Sequence, residues 1–242
     1  MKLIKLDAID STNDFLKSLS SHDEPDNFTV VTAENQTKGK GQMGAKWQSE
    51  VGKNLIMSIL VKDFVFNNEH VFNLSVIVSL SVIEVLKSLN IPDLSIKWPN
   101  DIMSYNKKIG GILIENTLKS GGRIVSVVGL GLNVNQTNFD ELPNASSLAV
   151  ISGHSFDKDI LPQLIVEKIK EKISLWEVNS KDLWAIYFNS LFRKGVPMPF
   201  KNLKNQNFMG IIQGVSPVGK IQILLEDDSV SEFDIKEIQM LY

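Results

Sequence analysis

Residues 123–134, RIVSVVGLGLNV, form an almost unbroken apolar run relieved by Gly129 and Gly131. A strand with no alternation is covered on both faces, so it belongs near the centre of a sheet. A glycine inside such a strand lets another part of the molecule come close to its backbone. The fold must therefore place this run centrally and bring something up against it. The run ends at Asn133-Val134-Asn135.

The other segments supply the rest of that sheet. Residues 3–9 read as an opening strand, and Asp10-Ser11-Thr12-Asn13 as helix N-cap residues ahead of Phe15, Leu16 and Leu19 at helical spacing. Taken alone, Ser11-Thr12-Asn13 need be no more than a cap. Strands at residues 28–33 and 54–61 are expected to pair. Phe72, Val76, Leu80, Ile83 and Leu86 make one stripe of a core helix over residues 72–89. Strand residues 94–98 lead to Pro99-Asn100-Asp101, which is turn chemistry. Residues 102–105 and 108–115 then flank Asn106-Lys107 as a two-residue hairpin turn. That register sets Tyr105 opposite Lys108, Met103 opposite Gly110 and Asp101 opposite Ile112, placing Asp101, Lys108 and Gly110 on one side.

A short helix is expected at residues 146–151, a long amphipathic one at 158–176 and another at 181–192. After Gly195 the pattern changes: Pro197 and Pro199 precede short alternating strands at 209–215, 220–225 and 230–235. The predicted class is α+β, with a mixed sheet packed with helices over residues 1–193 and a small β-barrel over residues 194–242.

Between the two early strands lies a polar loop, ENQTKGKGQMGAKWQSEVGK. Gly39, Gly41 and Gly44 can take positive φ and turn their N–H groups toward an anion. Lys38, Lys40, Lys46 and Lys53 add positive charge, and Trp47 offers a flat face for a base. GKGQMG also fits the dinucleotide pattern G-x-G-x-x-G, with Asp63 near the distance of its ribose-binding acid, so a nicotinamide-dependent oxidoreductase is one reading. Against it, that motif opens a helix directly, whereas residues 45–52 have no apolar helical face and a strand follows. A plain solvated hairpin loop is the remaining alternative.

Composition excludes several chemistries. With no cysteine there is no disulfide, no Cys-ligated zinc and no thiol nucleophile. His22, His70 and His154 stand far apart and read as surface or loop residues. A net charge of −3 gives no bulk attraction to nucleic acid or an anionic membrane. Lys2 and Lys5 interrupt the first apolar run, so it is no signal peptide, and no stretch is expected to be long enough to span a bilayer. The expected location is cytoplasmic.

Four polar clusters remain: Ser11-Thr12-Asn13, the glycine loop with Gln36 ahead of it, Lys97-Trp98-Pro99-Asn100-Asp101, and Lys107-Lys108-Ile109-Gly110-Gly111. Lys97 and Lys108 sit in otherwise apolar strands, where an ammonium needs an anion or carboxylate partner. In order and spacing the clusters closely resemble the biotin-protein ligase family. Its pattern runs STN, Q-x-x-G-R-G-R-x-G-R-x-W, KWPND, K-L-A-G-I-L-V-E and G-x-G-I-N. KWPND is identical at residues 97–101, and KIGGILIE at 108–115 differs conservatively. The match covers residues 10–135, and the tail resembles the family's SH3-like C-terminal domain. Lys40, Gln42 and Ala45 stand where the family usually has arginine.

This resemblance implies a biotin-[acetyl-CoA-carboxylase] ligase of the monofunctional form, since the motifs begin at Ser11 and leave no room for an N-terminal DNA-binding domain. The substrates would be ATP and biotin, with Mg²⁺. The first step would give biotinyl-5′-adenylate and pyrophosphate, and the second would pass the biotinyl group to a lysine of a biotin carboxyl carrier domain. Attack of a carboxylate on an α-phosphate brings two anions together, so catalysis is mostly positioning and charge neutralisation. The resemblance makes Lys108, Asp101 and Lys97 catalytic, with Asp101 also the metal ligand. It assigns biotin to Ser11, Thr12, Asn13, Gln36 and to the loop residues Gly39, Lys40, Gly41 and Gln42, together with Lys108, Gly110 and Gly111. ATP would meet Lys40, Gln42, Trp47, Asn100 and Asn133. The protein is expected to be a monomer or weak homodimer that binds neither DNA nor membrane. The alternative is a lipoate-type ligase of the same fold, although that enzyme's own glycine-rich signature is not seen. An octanoyl transferase would need a cysteine.

Overall fold

In the computed structural model, which describes residues 1–65 and 71–242, seven strands form one sheet. They are β1 (Leu3–Ile9), β2 (Val30–Gln36), β3 (Leu55–Lys62), β4 (Leu94–Lys97), β5 (Asp101–Ser104), β6 (Lys107–Leu118) and β7 (Ile124–Leu132). Their order is β1-β2-β3-β7-β6-β5-β4, so the unbroken apolar run is the middle strand. β1 and β2 are parallel and every other neighbouring pair is antiparallel, which makes the sheet mixed, as expected. Of the histidines, His22 and His154 are exposed, and His70 lies outside the described residues.

Both faces of β7 are used, but differently. Val128, Leu130 and Leu132 enter the main core with α2 (Val71–Ser88) and α4 (Leu161–Asn189). On the other face Val127 packs with Val31, Leu60 and Leu16 of α1 (Thr12–His22). Gly129 and Gly131 share the α1 face, and the sheet surface beyond α1 is left for a cavity. A further short helix, α3 (Leu148–Ser152), follows β7.

Three expectations need correction. The helices predicted at 158–176 and 181–192 are one 29-residue helix, α4. Glu177-Val178-Asn179-Ser180 contains neither glycine nor proline, so polarity there marks exposure and nothing breaks the backbone ladder. Second, α2 is long and apolar enough, by length and composition, to cross a bilayer, which the sequence reading denied; 72% of it is buried, and it packs against α4 as a core helix. Third, the hairpin turns at Tyr105-Asn106, with Tyr105 at φ 53°. Ser104 faces Lys107 and Met103 faces Lys108, and an irregularity then shifts the register so that Ile102 faces Gly110 and Asp101 faces Gly111. The extra residue puts Gly111, not Gly110, on the side of Asp101 and Lys108.

The C-terminal strands β8 (Pro197–Asn202), β9 (Asn207–Val215), β10 (Ile221–Leu225), β11 (Val230–Phe233) and β12 (Ile238–Met240) form an antiparallel sheet in the order β11-β10-β9-β8-β12. Its residues Phe200, Ile212 and Ile221 belong to the same core as α2 and α4. The turn between β9 and β10 wedges against the larger sheet: the Trp98 indole N–H donates to Gly219 O at 2.8 Å. A Cβ on Gly219 would come within 2.5 Å of the Phe72 ring, so only glycine fits.

Candidate active site

A cavity of about 950 Å³ opens on the α1 face of the large sheet, between the glycine loop, the β4–β5 turn and the C-terminal sheet. Its first wall grows from the start of α1. Ser11 is the N-cap, its Oγ accepting from Asp14 N, and it also lines the cavity, so a cap is not its whole role. Capping fixes the first helical turn, which directs Thr12 and Asn13 onto the sheet, where both are buried. Gln36, the last residue of β2, accepts from Thr12 N at 2.7 Å and from Thr12 Oγ1 at 3.0 Å. Ser58 Oγ, in the middle of β3, lies 2.8 Å from Thr12 Oγ1 and 2.6 Å from Asn13 Oδ1. The Asn13 amide donates to Glu115 Oε2 at 2.8 Å, and Lys17 Nζ donates to the other Glu115 oxygen at 2.7 Å. Desolvation works against the charge of Lys17, but its hydrogen bonds to Glu115 and Asp14 still hold its pKa above the usual value. Gly129 is required here, because a Cβ would stand 2.5 Å from Asn13 Oδ1. Sequence reasoning missed Ser58 and Glu115. The signal was present: Ser58 is the polar interruption of LIMSILV, and its hydroxyl is fully buried.

The second wall carries charge. Lys97 ends β4 and Asp101 begins β5, directly opposite one another across the Trp98-Pro99-Asn100 turn. Lys108 Nζ lies 2.6 Å from Asp101 Oδ1 and Lys97 Nζ 3.8 Å from Asp101 Oδ2. The anionic partner those two lysines demanded is thus Asp101. Asn100 fixes the turn to β6, accepting from Ile112 N at 2.9 Å and donating its amide to Ile112 O at 2.6 Å. A carboxylate already shared by two ammonium groups is a poor magnesium ligand, and among the described residues Asp101 is the one acidic side chain lining the cavity. Among the described residues no three His, Asp or Glu side chains gather. The expected metal role of Asp101 therefore does not fit this donor set.

The third wall is the glycine loop, folded back on itself through a Lys40–Lys46 bridge, with Gly41 N bonded to Ala45 O and Trp47 N to Gly39 O. Positive φ is used at Gly44 and at Met43, but not at Gly41, which is extended. Gly39 is needed for closeness instead, since a Cβ would lie 2.3 Å from Trp47 O. Trp47 itself packs against the sheet: a Cβ on Gly131 would strike its indole at 2.3 Å. The Lys108 ammonium sits 5.7 Å from its ring centre, and the indole N–H is buried without an acceptor. The loop is neither a solvated hairpin nor a dinucleotide turn, because β3 and not an α-helix follows it and Asp63 does not line the cavity. Lys38 is tied to Asp10 at 2.8 Å outside the cavity, while Lys40 pairs with Asp14 at 2.6 Å. Burial raises the Asp14 carboxyl, but hydrogen bonds from Lys40 and Lys17 outweigh it and hold the pKa below the usual range.

The structure thus brings together Ser11, Thr12, Asn13, Gln36, Lys40, Gly41, Gln42, Trp47, Lys97, Asn100, Asp101, Lys108 and Gly111 around one cavity. Gly39, Gly110 and Asn133 are not among its lining. Gly110 faces Gly131 O and Leu132, and Asn133 is buried with its amide donating to Ser146 O at 3.0 Å. The cavity has one neutral hydrogen-bonding end and one cationic region. Among the described residues, Lys40, Lys46, Lys97, Lys108 and Lys236 line it against the one acidic side chain of Asp101, although the chain as a whole is net −3.

Comparison with known proteins agrees with this architecture. Residues 6–135 match the Biotin/lipoate A/B protein ligase family. The bifunctional ligase/repressor BirA of Salmonella typhimurium is 28% identical over 228 residues, covering 93% of this chain and 69% of the relative. The biotin–[acetyl-CoA-carboxylase] ligase of Mycobacterium tuberculosis is 26% identical, covering 87% of this chain and 79% of the relative. Among solved structures, the biotin protein ligase from Aquifex aeolicus in complex with biotin and ATP superposes with a TM-score of 0.80 at 28% identity, over 99% of this chain and 98% of that one.

Proposed function

The chain belongs to the biotin/lipoate A/B protein ligase family, and from that premise we propose that it activates biotin with ATP and transfers it to a lysine of a biotin carboxyl carrier domain. The observation that carries this reading is the pairing, in one cavity, of a buried neutral hydrogen-bonding pocket with a lysine-rich region. Ser11, Thr12, Asn13 and Gln36 line this end with hydroxyl and amide groups, which suit a small ring with its own N–H and C=O. A ureido ring satisfies them. A dithiolane ring has no N–H or C=O to meet the polar groups at this end of the cavity, which disfavours the lipoate alternative.

The reaction joins the biotin carboxylate to the α-phosphate of MgATP, forming the acyl–phosphate bond and releasing pyrophosphate. Lys108 stands where the two anions must meet, between Trp47, Gly111 and the β4–β5 turn. Its ammonium shifts from Asp101 toward the carboxylate and α-phosphate and neutralises the charge that opposes their approach. Asp101 keeps Lys97 as counter-ion during that shift. Lys40, Lys46 and Lys97 supply further positive charge to the polyphosphate, and Asn100 holds the turn that presents them. Trp47 covers the adenine, and Gly131 and Gly111 leave the space beneath that the indole occupies. In the second step the acceptor amine attacks the acyl carbon and AMP leaves. Residues 1–193 would carry most of this chemistry, and residues 194–242 would form the C-terminal β-domain that closes the far side of the cavity.

The test mixes purified protein with MgATP, a carboxyl-carrier domain, and either biotin or lipoate. One biotinyl mass increment on a single carrier lysine is expected. Gain with lipoate and none with biotin would hand the function to the alternative.

A further inference from the structure

The far side of the cavity is contributed by the C-terminal sheet, through Ile235, Lys236 and Ile238. Lys236 sits in the tight turn before β12, where Glu237 N bonds to Asp234 O. From there its ammonium donates to the carbonyl of Met43, at the tip of the glycine loop and 193 residues earlier in the chain. Both residues hold left-handed backbone, Met43 at φ 52° and Lys236 at φ 70°, a conformation that non-glycine residues adopt at some cost. Among the described residues this is the one hydrogen bond between the loop and the C-terminal sheet. Met43 has no apolar anchor of its own, since its side chain is 61% exposed.

The other end of the C-terminal sheet is fixed to the opposite lip. Trp98, inside the β4–β5 turn that carries Lys97 and Asp101, is buried and bonded to Gly219 O. The sheet therefore spans the cavity, gripping the rigid lip at Trp98 and the loop tip at Met43. The loop is held at its base by Trp47 packed on Gly131 and at its shoulder by Lys40–Asp14, while its exposed tip hangs on one charge-assisted bond and is freed when that bond is lost.

We propose that Lys236 is a positioning residue that latches the glycine loop shut over the acyl-adenylate, so that retention of the intermediate depends on the C-terminal sheet. This rests on the ligase reading above, and its test is arranged so that the two can fail separately. Lys236→Met keeps the length of the side chain and removes the donor; Lys236→Arg restores a cationic donor. In the ligand-free protein, amide exchange at Gly41 and Trp47 should quicken in Lys236→Met and return toward the parent rate in Lys236→Arg. With biotin and MgATP, release of the adenylate should rise about tenfold in Lys236→Met, the scale of one charge-assisted hydrogen bond. The first-turnover rate at saturating substrate should fall by less than release rises. Unchanged loop exchange, or release unchanged while the first turnover collapses, would overturn the latch. If the parent forms no adenylate at all, the ligase reading falls and the exchange experiment alone decides the latch.

Discussion

Around Thr12 the cavity wall consists of buried and half-buried groups that hold one another, with Gln36, Ser58, Asn13, Glu115 and Lys17 closing a continuous chain. At Met43 the wall is a loop whose outer residues face water and whose attachment rests on ion pairs and single hydrogen bonds. The first wall is complete without a ligand, so binding there spends little on ordering. The second hangs from fewer contacts, which under the proposed latch is the behaviour of a closing lid. A rigid wall for recognition and chemistry faces a movable one for retention.

The strongest way to break this division is Lys108→Ala, on the rigid side. Adenylate formation should fall by about 10²-fold or more, the scale of losing one preorganised charge-stabilising donor, with circular dichroism and loop exchange unchanged. A comparable loss of loop order would show that Lys108 supports Trp47 more than it serves the reaction.

Next in size is Trp47→Ala, on the movable side. ATP binding measured by calorimetry should weaken by about 1–3 kcal/mol if the indole stacks on adenine. Biotin binding should change less, because its pocket does not lean on the loop. Equal losses for both ligands would merge the two walls into one unit.

The smallest effect is expected at Gln42. The family pattern has arginine there, and a neutral amide gives up a charge-assisted contact to phosphate. Two loop lysines could take the place of that charge, Lys38 and Lys46; Lys38 is tied to Asp10 outside the cavity, which leaves Lys46 facing in. Gln42→Arg should therefore slow loss of biotinyl-adenylate to solvent by a few-fold, at matched salt and without acceptor. Equal loss from parent and variant would show that Lys46 already fills the place.

What the sequence disclosed and withheld follows the same division. The central strand, the paired early strands and the strand-borne lysines were legible because apolar continuity and a lysine inside it have few structural solutions. Gly129 and Gly131 announced a close approach, and Asn13 and Trp47 make it. The bulge that exchanges Gly110 for Gly111 was not legible, since one extra residue in a hairpin leaves no mark on composition. Nor was the burial of Asn133, because an asparagine at a strand end serves a loop carbonyl as readily as a ligand. The junction of α4 was misread because a polar stretch resembles a linker unless one asks whether anything in it stops a helix.

The closed chain from Gln36 to Lys17 also bears on how this pocket can change. Nearly every polar atom in it is engaged by a neighbour, so an apolar replacement at one position leaves a buried partner stranded, at a cost of about 1–3 kcal/mol. Two replacements made together can cost less than the sum of each alone. Selectivity for a different ring would thus be reached by paired substitutions, and a survey of single variants would find a plateau of weakened enzymes with no path between them.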